Sequence, residues 1–253
     1  MTLNDYSLLC DDFYLDMHIH TELDLPTDRD TILAFFERIQ KQYPTMCNFY
    51  RRENESYCLE EDQEVGQYRW ATLDKDRIGS GVVNPANIED VCEQDQLVIE
   101  LAPYMLSVNH LDIDSLDVTF AMDFDYYGNH DEVIAEALLG STAFNCLLDL
   151  PQAKPIGLSP SMVVALSEDC RTQARISVES KTSVYEPGQQ KLNSDDAISL
   201  FFTIRQYPKS TEKFDAKKSF EVQCKLAQEL MAEKIIPNFV KPLTNVIAHK
   251  RLT

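Results

Sequence analysis

Glycine is too scarce here for phosphate-cradling loops or flexible linkers, with seven in 253 residues. Basic charge is scarce too: 23 Lys and Arg stand against 42 Asp and Glu, a net charge of −19. Such a surface repels phosphate backbones and anionic lipid, so neither nucleic acid nor a membrane is expected as a partner. No apolar run reaches the ~18–20 residues that a bilayer-spanning helix needs, and the N-terminus MTLNDYSLLCDDFY lacks the basic start of a signal peptide. The seven cysteines (Cys10, Cys47, Cys58, Cys92, Cys146, Cys170, Cys224) are scattered, odd in number and without a CxxC. That excludes a disulfide framework and a zinc knuckle, and predicts reduced thiols in a cytoplasmic protein. GxSxG, Walker, GxGxxG and HExxH motifs are all missing, so no cofactor is expected.

What is present is pattern. In Phe13–Leu25, Leu15, Met17, Ile19, Thr21 and Leu23 alternate with Asp16, His18, His20, Glu22 and Asp24, the signature of a half-buried strand. Thr27 or Asp28 can cap a following helix whose stripe is Ile32, Phe35, Phe36 and Ile39, ending at Tyr43-Pro44. Strands are predicted over Asn48–Glu60 and Gln67–Ile78, then a helix over Asn87–Met105. A second alternating strand, Leu116–Phe124, leads through Tyr127-Gly128-Asn129 into a helix over Asp131–Leu139. Strands over Ser161–Leu166, Thr172–Tyr185 and Ala197–Gln206 precede a helix from Ser219 to Val240, bent or stopped by Pro237.

Both units read strand–helix–strands–helix. At an offset of 101, Leu15-Asp16 aligns with Leu116-Asp117, Asp24 with Asp125, Asp30 with Asp131 and Ala34 with Ala135. The expectation is an α+β fold of two related halves, 1–110 and 111–253, arising by duplication. They would form one compact, largely antiparallel sheet with helices packed on one face. The free face would be acidic, carrying Asp16, Glu22, Asp24, Asp117, Asp123 and Asp125. Residues 209–253 are net +4 against −23 for the remainder. The partners this charge pattern favours are a second copy of the chain or a basic protein segment. The leading expectation is therefore a non-enzymatic binding or interaction scaffold.

One string carries a different chemistry. In Asp16-Met-His18-Ile-His20-Thr-Glu22 two imidazoles at i and i+2 point the same way, so both can reach one metal ion, with Asp16 and Glu22 as flanking carboxylates. The string resembles the first motif of the polymerase-and-histidinol-phosphatase family of metal-dependent phosphoesterases. The resemblance implies a distorted β/α barrel, His18 and His20 as metal ligands, and Asp16 as a nearby acid. It covers about seven residues: the Ser-Asp-Gly that follows in that family is replaced by Glu22-Leu-Asp24-Leu-Pro26, and the family's later motifs are missing. In the aligned strand Thr119 and Ala121 stand where His18 and His20 do. Among the rest, Arg51-Arg52 reads as a surface ion-pair cluster with Glu53 and Glu55, and Trp70 as core. Cys58 and Cys170, among charged neighbours, are the thiols expected to be exposed; Cys10, Cys92 and Cys146 are expected in the core.

Overall fold

The computed structural model describes residues 6, 8–53, 55–180, 197–209 and 212–252. Nine strands form one sheet: β1 (Asp12–Thr21), β2 (Asn48–Arg51), β3 (Tyr57–Glu60), β4 (Tyr68–Leu73), β5 (Arg77–Val83), β6 (Ile113–Phe124), β7 (Ser161–Ala165), β8 (Thr172–Ser180) and β9 (Ile198–Gln206). Their order is β2-β3-β4-β5-β1-β6-β9-β8-β7, and every pairing is antiparallel. The helices are α1 (Arg29–Gln42), α2 (Ile88–Met105), α3 (His130–Leu139), the single turn α4 (Asn145–Leu148), α5 (Ala216–Leu230), a π-helical segment (Met231–Val240) and α6 (Lys241–Leu252). The α+β class, with a largely antiparallel sheet, is as expected. The β/α barrel implied by the phosphoesterase resemblance is not, because the strands follow one another antiparallel with few helices between them.

The two halves meet at β1 and β6. Met17 pairs with Val118, the residue that the offset of 101 aligns with it, so Asp16 faces Thr119 while His18 faces Asp117. Read outward from this pair, the order is β5-β4-β3-β2 on one side and β9-β8-β7 on the other. One continuous sheet thus spans the 110/111 boundary.

Alternation along β1 buries Phe13, Leu15, Met17, Ile19 and Thr21, and the even-numbered neighbours are half-buried. The buried face joins Val118, Phe120 and Met122 of β6 and Leu200, Phe202 and Ile204 of β9 in one core with Phe35, Ile39, Val91, Val98, Phe220 and Ala227 of the helices. Buried glutamines tie the helices to the sheet. Gln94 Nε2 donates to the Trp70 and Gly81 carbonyls at 3.0 and 3.1 Å, and Gln223 Nε2 to the Leu116 and Ile204 carbonyls at 2.7 and 2.9 Å. Capping follows the expected chemistry: Asp28, Asn87 and Asn129 accept from the amides of Thr31, Asp90 and Glu132.

Several boundaries differ from expectation. β1 ends at Thr21, not Leu25, because β5 begins at Arg77 and leaves Glu22–Asp24 without a strand on that side. Residues 48–60 form two strands, since the chain turns back with Glu55 at φ 70°. The run 67–78 likewise splits into β4 and β5, turning at Asp74–Asp76. Residues 181–185, predicted as strand, lie outside the described residues. Pro237 does not end the last helix: the Lys241 amide reaches back five residues to the Ile236 carbonyl, and this wider π winding takes in a residue that has no N–H to give. Cys58 is buried rather than exposed, Cys146 is exposed rather than buried, and Cys170 is exposed as expected.

Candidate functional site

The face of the sheet turned away from the helices holds the polar side chains. On β1 these are Tyr14, Asp16, His18 and His20, flanked by Gly79 and Gly81 of β5 and by Asp117 and Thr119 of β6. Trp70 of β4 is not in the helix-side core. Its indole lies across the two glycines, where a Cβ on Gly79 would come within 3.0 Å of Cζ3 and one on Gly81 within 2.7 Å of Cζ2. The glycines are there for close approach, making room for the ring and for the Asp16 carboxylate. His18 packs against the same indole with ring centroids 5.9 Å apart, and its ring centre lies 6.3 Å from that of His20.

Electrostatics divide these groups. Asp16 Oδ1 is buried without a hydrogen-bond partner, and burial pushes the carboxyl up to about 7. Burial, aided by the Arg77 and His20 charges, pulls His18 down to about 4. Next to them Asp117 is gripped by Arg205 of β9, whose Nε and Nη2 donate to its two oxygens at 2.7 and 2.6 Å, and His20 Nε2 lies 3.3 Å from Oδ2. Burial opposes the charge on Asp117, but the hydrogen bonds from Arg205 and His20 outweigh it and hold the carboxyl below its usual range. Beyond Arg205 a cavity of about 310 Å³ opens, lined by Val163, Gln173, Arg175, Thr203 and Tyr207. The Thr119 and Thr203 hydroxyls bond each other at 2.8 Å.

The structure therefore brings Asp16, His18 and His20 together on one face, but Glu22 lies exposed past the end of β1, in a loop where its amide bonds the Asp112 carbonyl. Among the described residues no group of three or more His, Cys, Asp or Glu side chains is arranged to hold a metal ion. The free face is also less acidic than expected. Asp24 lies beyond the strand, 3.3 Å from Lys75, and Asp125 lies past β6. Asp117 is matched by Arg205, and Asp123 accepts from the Tyr14 hydroxyl at 2.8 Å. Buried Cys58 lies near Arg52 and Glu60, and burial raises its thiol to about 11.

A second surface lies at the sheet edge. All five residues of β7 are exposed, Met162 and Val163 by 62% and 57%, and among the described residues the strand has no neighbour beyond it. Met162 and Val164 also border an apolar groove of about 170 Å³ with Leu166, Phe202, Leu230 and Ile235. Sequence reading located this strand but not its exposure. Its signal was the run Met162-Val-Val-Ala-Leu166, which has no Lys, Pro or acid to guard it. The grip of Arg205 on Asp117 left no such signal.

Among the described residues no helix is long and apolar enough to cross a membrane. Neither a protein-family model nor a curated protein matches the sequence.

Proposed function

We propose that the protein is a non-enzymatic interaction scaffold that associates with a second copy of itself through the edge strand β7. The observation that carries this reading is the edge itself: five exposed, uncharged residues beside an apolar groove. Unpaired edges of that kind act as templates for another strand, and natural sheets normally guard them with charge or proline. The strand is self-complementary. Antiparallel pairing about Val163 sets Met162 against Val164 and Ser161 against Ala165 of the other copy, so no like charges face each other and the contact closes as a two-fold dimer. In this reading the two halves are copies of one ancestral unit and the protein works in the cytoplasm without a cofactor. Asp123 and the exposed Glu22 past the end of β1 are the carboxylates open to basic segments of other proteins.

Light scattering after size exclusion tests it. The wild type should be dimeric with a melting temperature that rises with concentration. A Met162→Lys/Val164→Lys variant should be monomeric, still unfolding cooperatively, with a melting temperature independent of concentration. The dimer should persist as salt rises, because screening weakens repulsion between two chains of −19 and leaves apolar contact intact. A wild type monomeric at every concentration, or a variant that still dimerises, would overturn the reading. A monomer that instead binds a Lys-rich peptide would shift the assignment to the free face.

A further inference from the structure

The arginines on most strands are held by partners. Arg51 pairs with Glu55 at 3.2 Å and Arg77 with Asp74 at 2.5 Å, Arg69 donates to Gln94 Oε1 at 3.0 Å, and Arg205 grips Asp117. Arg175 of β8 is different. It is exposed, and among the described residues its guanidinium has neither a hydrogen bond nor an ion pair. Acids are plentiful in a chain with 42 of them against 23 basic residues, so the place of Arg175 in the sheet is what denies it one. Its cross-strand neighbours are Val163 and Thr203, and Gln173 and Ser177 stand two positions away on its own strand. Side chains so placed are the ones that meet, and none of these is a carboxylate.

Arg175 and Arg205 border one cavity of about 310 Å³. Thr203 pairs with Arg175 and Gln173 with Arg205, so the two arginines are diagonal neighbours on one face, about 7–8 Å apart. Arg205 gives Nε and Nη2 to Asp117 at 2.7 and 2.6 Å, and its Nη1 reaches the Tyr207 hydroxyl only at 3.4 Å. Two guanidiniums less the Asp117 carboxylate leave the cavity at +1, within a chain of −19. Cations held this close favour an anion between them.

We propose that this cavity binds a small monocarboxylate, its carboxylate on the Arg175 guanidinium and its hydrocarbon part against Val163. The charge and shape select that class. The planar fork of an unengaged guanidinium matches a carboxylate with two parallel hydrogen bonds. A phosphate dianion would exceed the single positive charge and face Asp117, which, despite its burial, Arg205 and His20 keep ionised. Val163 supplies the apolar wall, and Gln173, Thr203 and Tyr207 the polar one. All of these belong to one chain, so the site does not depend on pairing through β7.

The test titrates the full chain with acetate, lactate and benzoate at low, fixed ionic strength, following the Val163 methyl, Thr203 amide and Arg175 Nε–H resonances by NMR. Saturable shifts at all three residues are expected at millimolar concentration, with chloride competing. Arg175→Gln should keep its melting temperature, since the guanidinium bonds to nothing in the fold, and should weaken binding by at least about tenfold. Arg175→Lys, which keeps the charge and loses the fork, should fall between. No saturable shift with any of the three acids, or binding undiminished in Arg175→Gln, would overturn the site. Inorganic phosphate that binds more tightly than every carboxylate would overturn the monoanion, and a Glu-containing peptide that does so would overturn the small molecule. The Arg175 Nε–H shift in the wild type decides the matter even where a variant fails to fold.

Discussion

Asp16 and His18 project from the same face of β1 beside one indole, and burial moves them in opposite directions, the acid up to about 7 and the imidazole down to about 4. Both are therefore neutral across much of the range between. The two shifts have opposite consequences for stability. Asp16, raised from 3.8, contributes stability that is complete below about pH 4 and is lost as pH rises through 7. His18, lowered from 6.5, contributes stability that is present above 6.5 and is lost as pH falls through 4. Replacing Asp16 by Asn should stabilise the protein relative to wild type increasingly from pH 4 to 7, and His18→Gln increasingly from pH 6.5 down to 4. Each difference curve should slope by at most about 1.4 kcal/mol per pH unit. Urea unfolding across that pH range reads both slopes, and parallel curves for wild type and variant would contradict the assignment.

Arg205→Ala removes both hydrogen bonds from Asp117 and leaves a carboxylate that is 6% exposed facing only His20. The expected loss is about 1–3 kcal/mol at neutral pH. Because the Asp117 carboxyl is held below its ordinary value, this contribution is present above pH ~4 and fades as the acid protonates below it. The double variant Arg205→Ala/Asp117→Asn should recover part of the loss, as measured by the midpoint of chemical denaturation.

Gly81→Ala places a methyl within 2.7 Å of Trp70 Cζ2 and 2.8 Å of the Leu15 carbonyl. Backbone cannot yield as a flexible side chain would, so a loss of about 1–3 kcal/mol is expected. Trp70 is the only tryptophan, so intrinsic fluorescence reports directly on whether the indole is lifted from the sheet. An unshifted emission maximum would count against this packing.

Zinc or manganese should leave the melting temperature unchanged. His20 is occupied with Asp117, Asp16 holds a proton up to about 7, and Glu22 lies off the strand. A metal-induced rise that disappears in His18→Ala/His20→Ala would restore the hydrolase reading of this strand.

Much of the fold was legible because the information was local. Period-two burial in β1, the Asp28 cap and the stripe Ile32–Ile39 each depend on residues a few positions apart. By contrast β6, central in the sheet, is buried on both faces over most of its length despite its alternating sequence. The hairpins within 48–60 and 67–78 were not legible, because neither Arg52-Glu-Asn-Glu-Ser56 nor Asp74-Lys-Asp76 contains the glycine or proline that marks a turn most strongly, and Glu55 takes a left-handed conformation. Cys58 misled for a related reason. Its charged neighbours in sequence are Arg52 and Glu60, which fold over it and bury it.

Composition and periodicity by themselves determined the class: an acidic α+β chain whose alternating strands must turn one face to a helix layer. Only the tertiary structure decided which polar groups meet. The contact of Asp117 with Arg205 spans 88 residues, and Trp70 finds its place across glycines of the next strand. The exposure of β7 is of the same kind, since a strand is an edge only by virtue of where the sheet stops. Local patterns record the free energy of burying one face. Long-range partners depend on register and strand order, and those are settled when the whole sheet assembles.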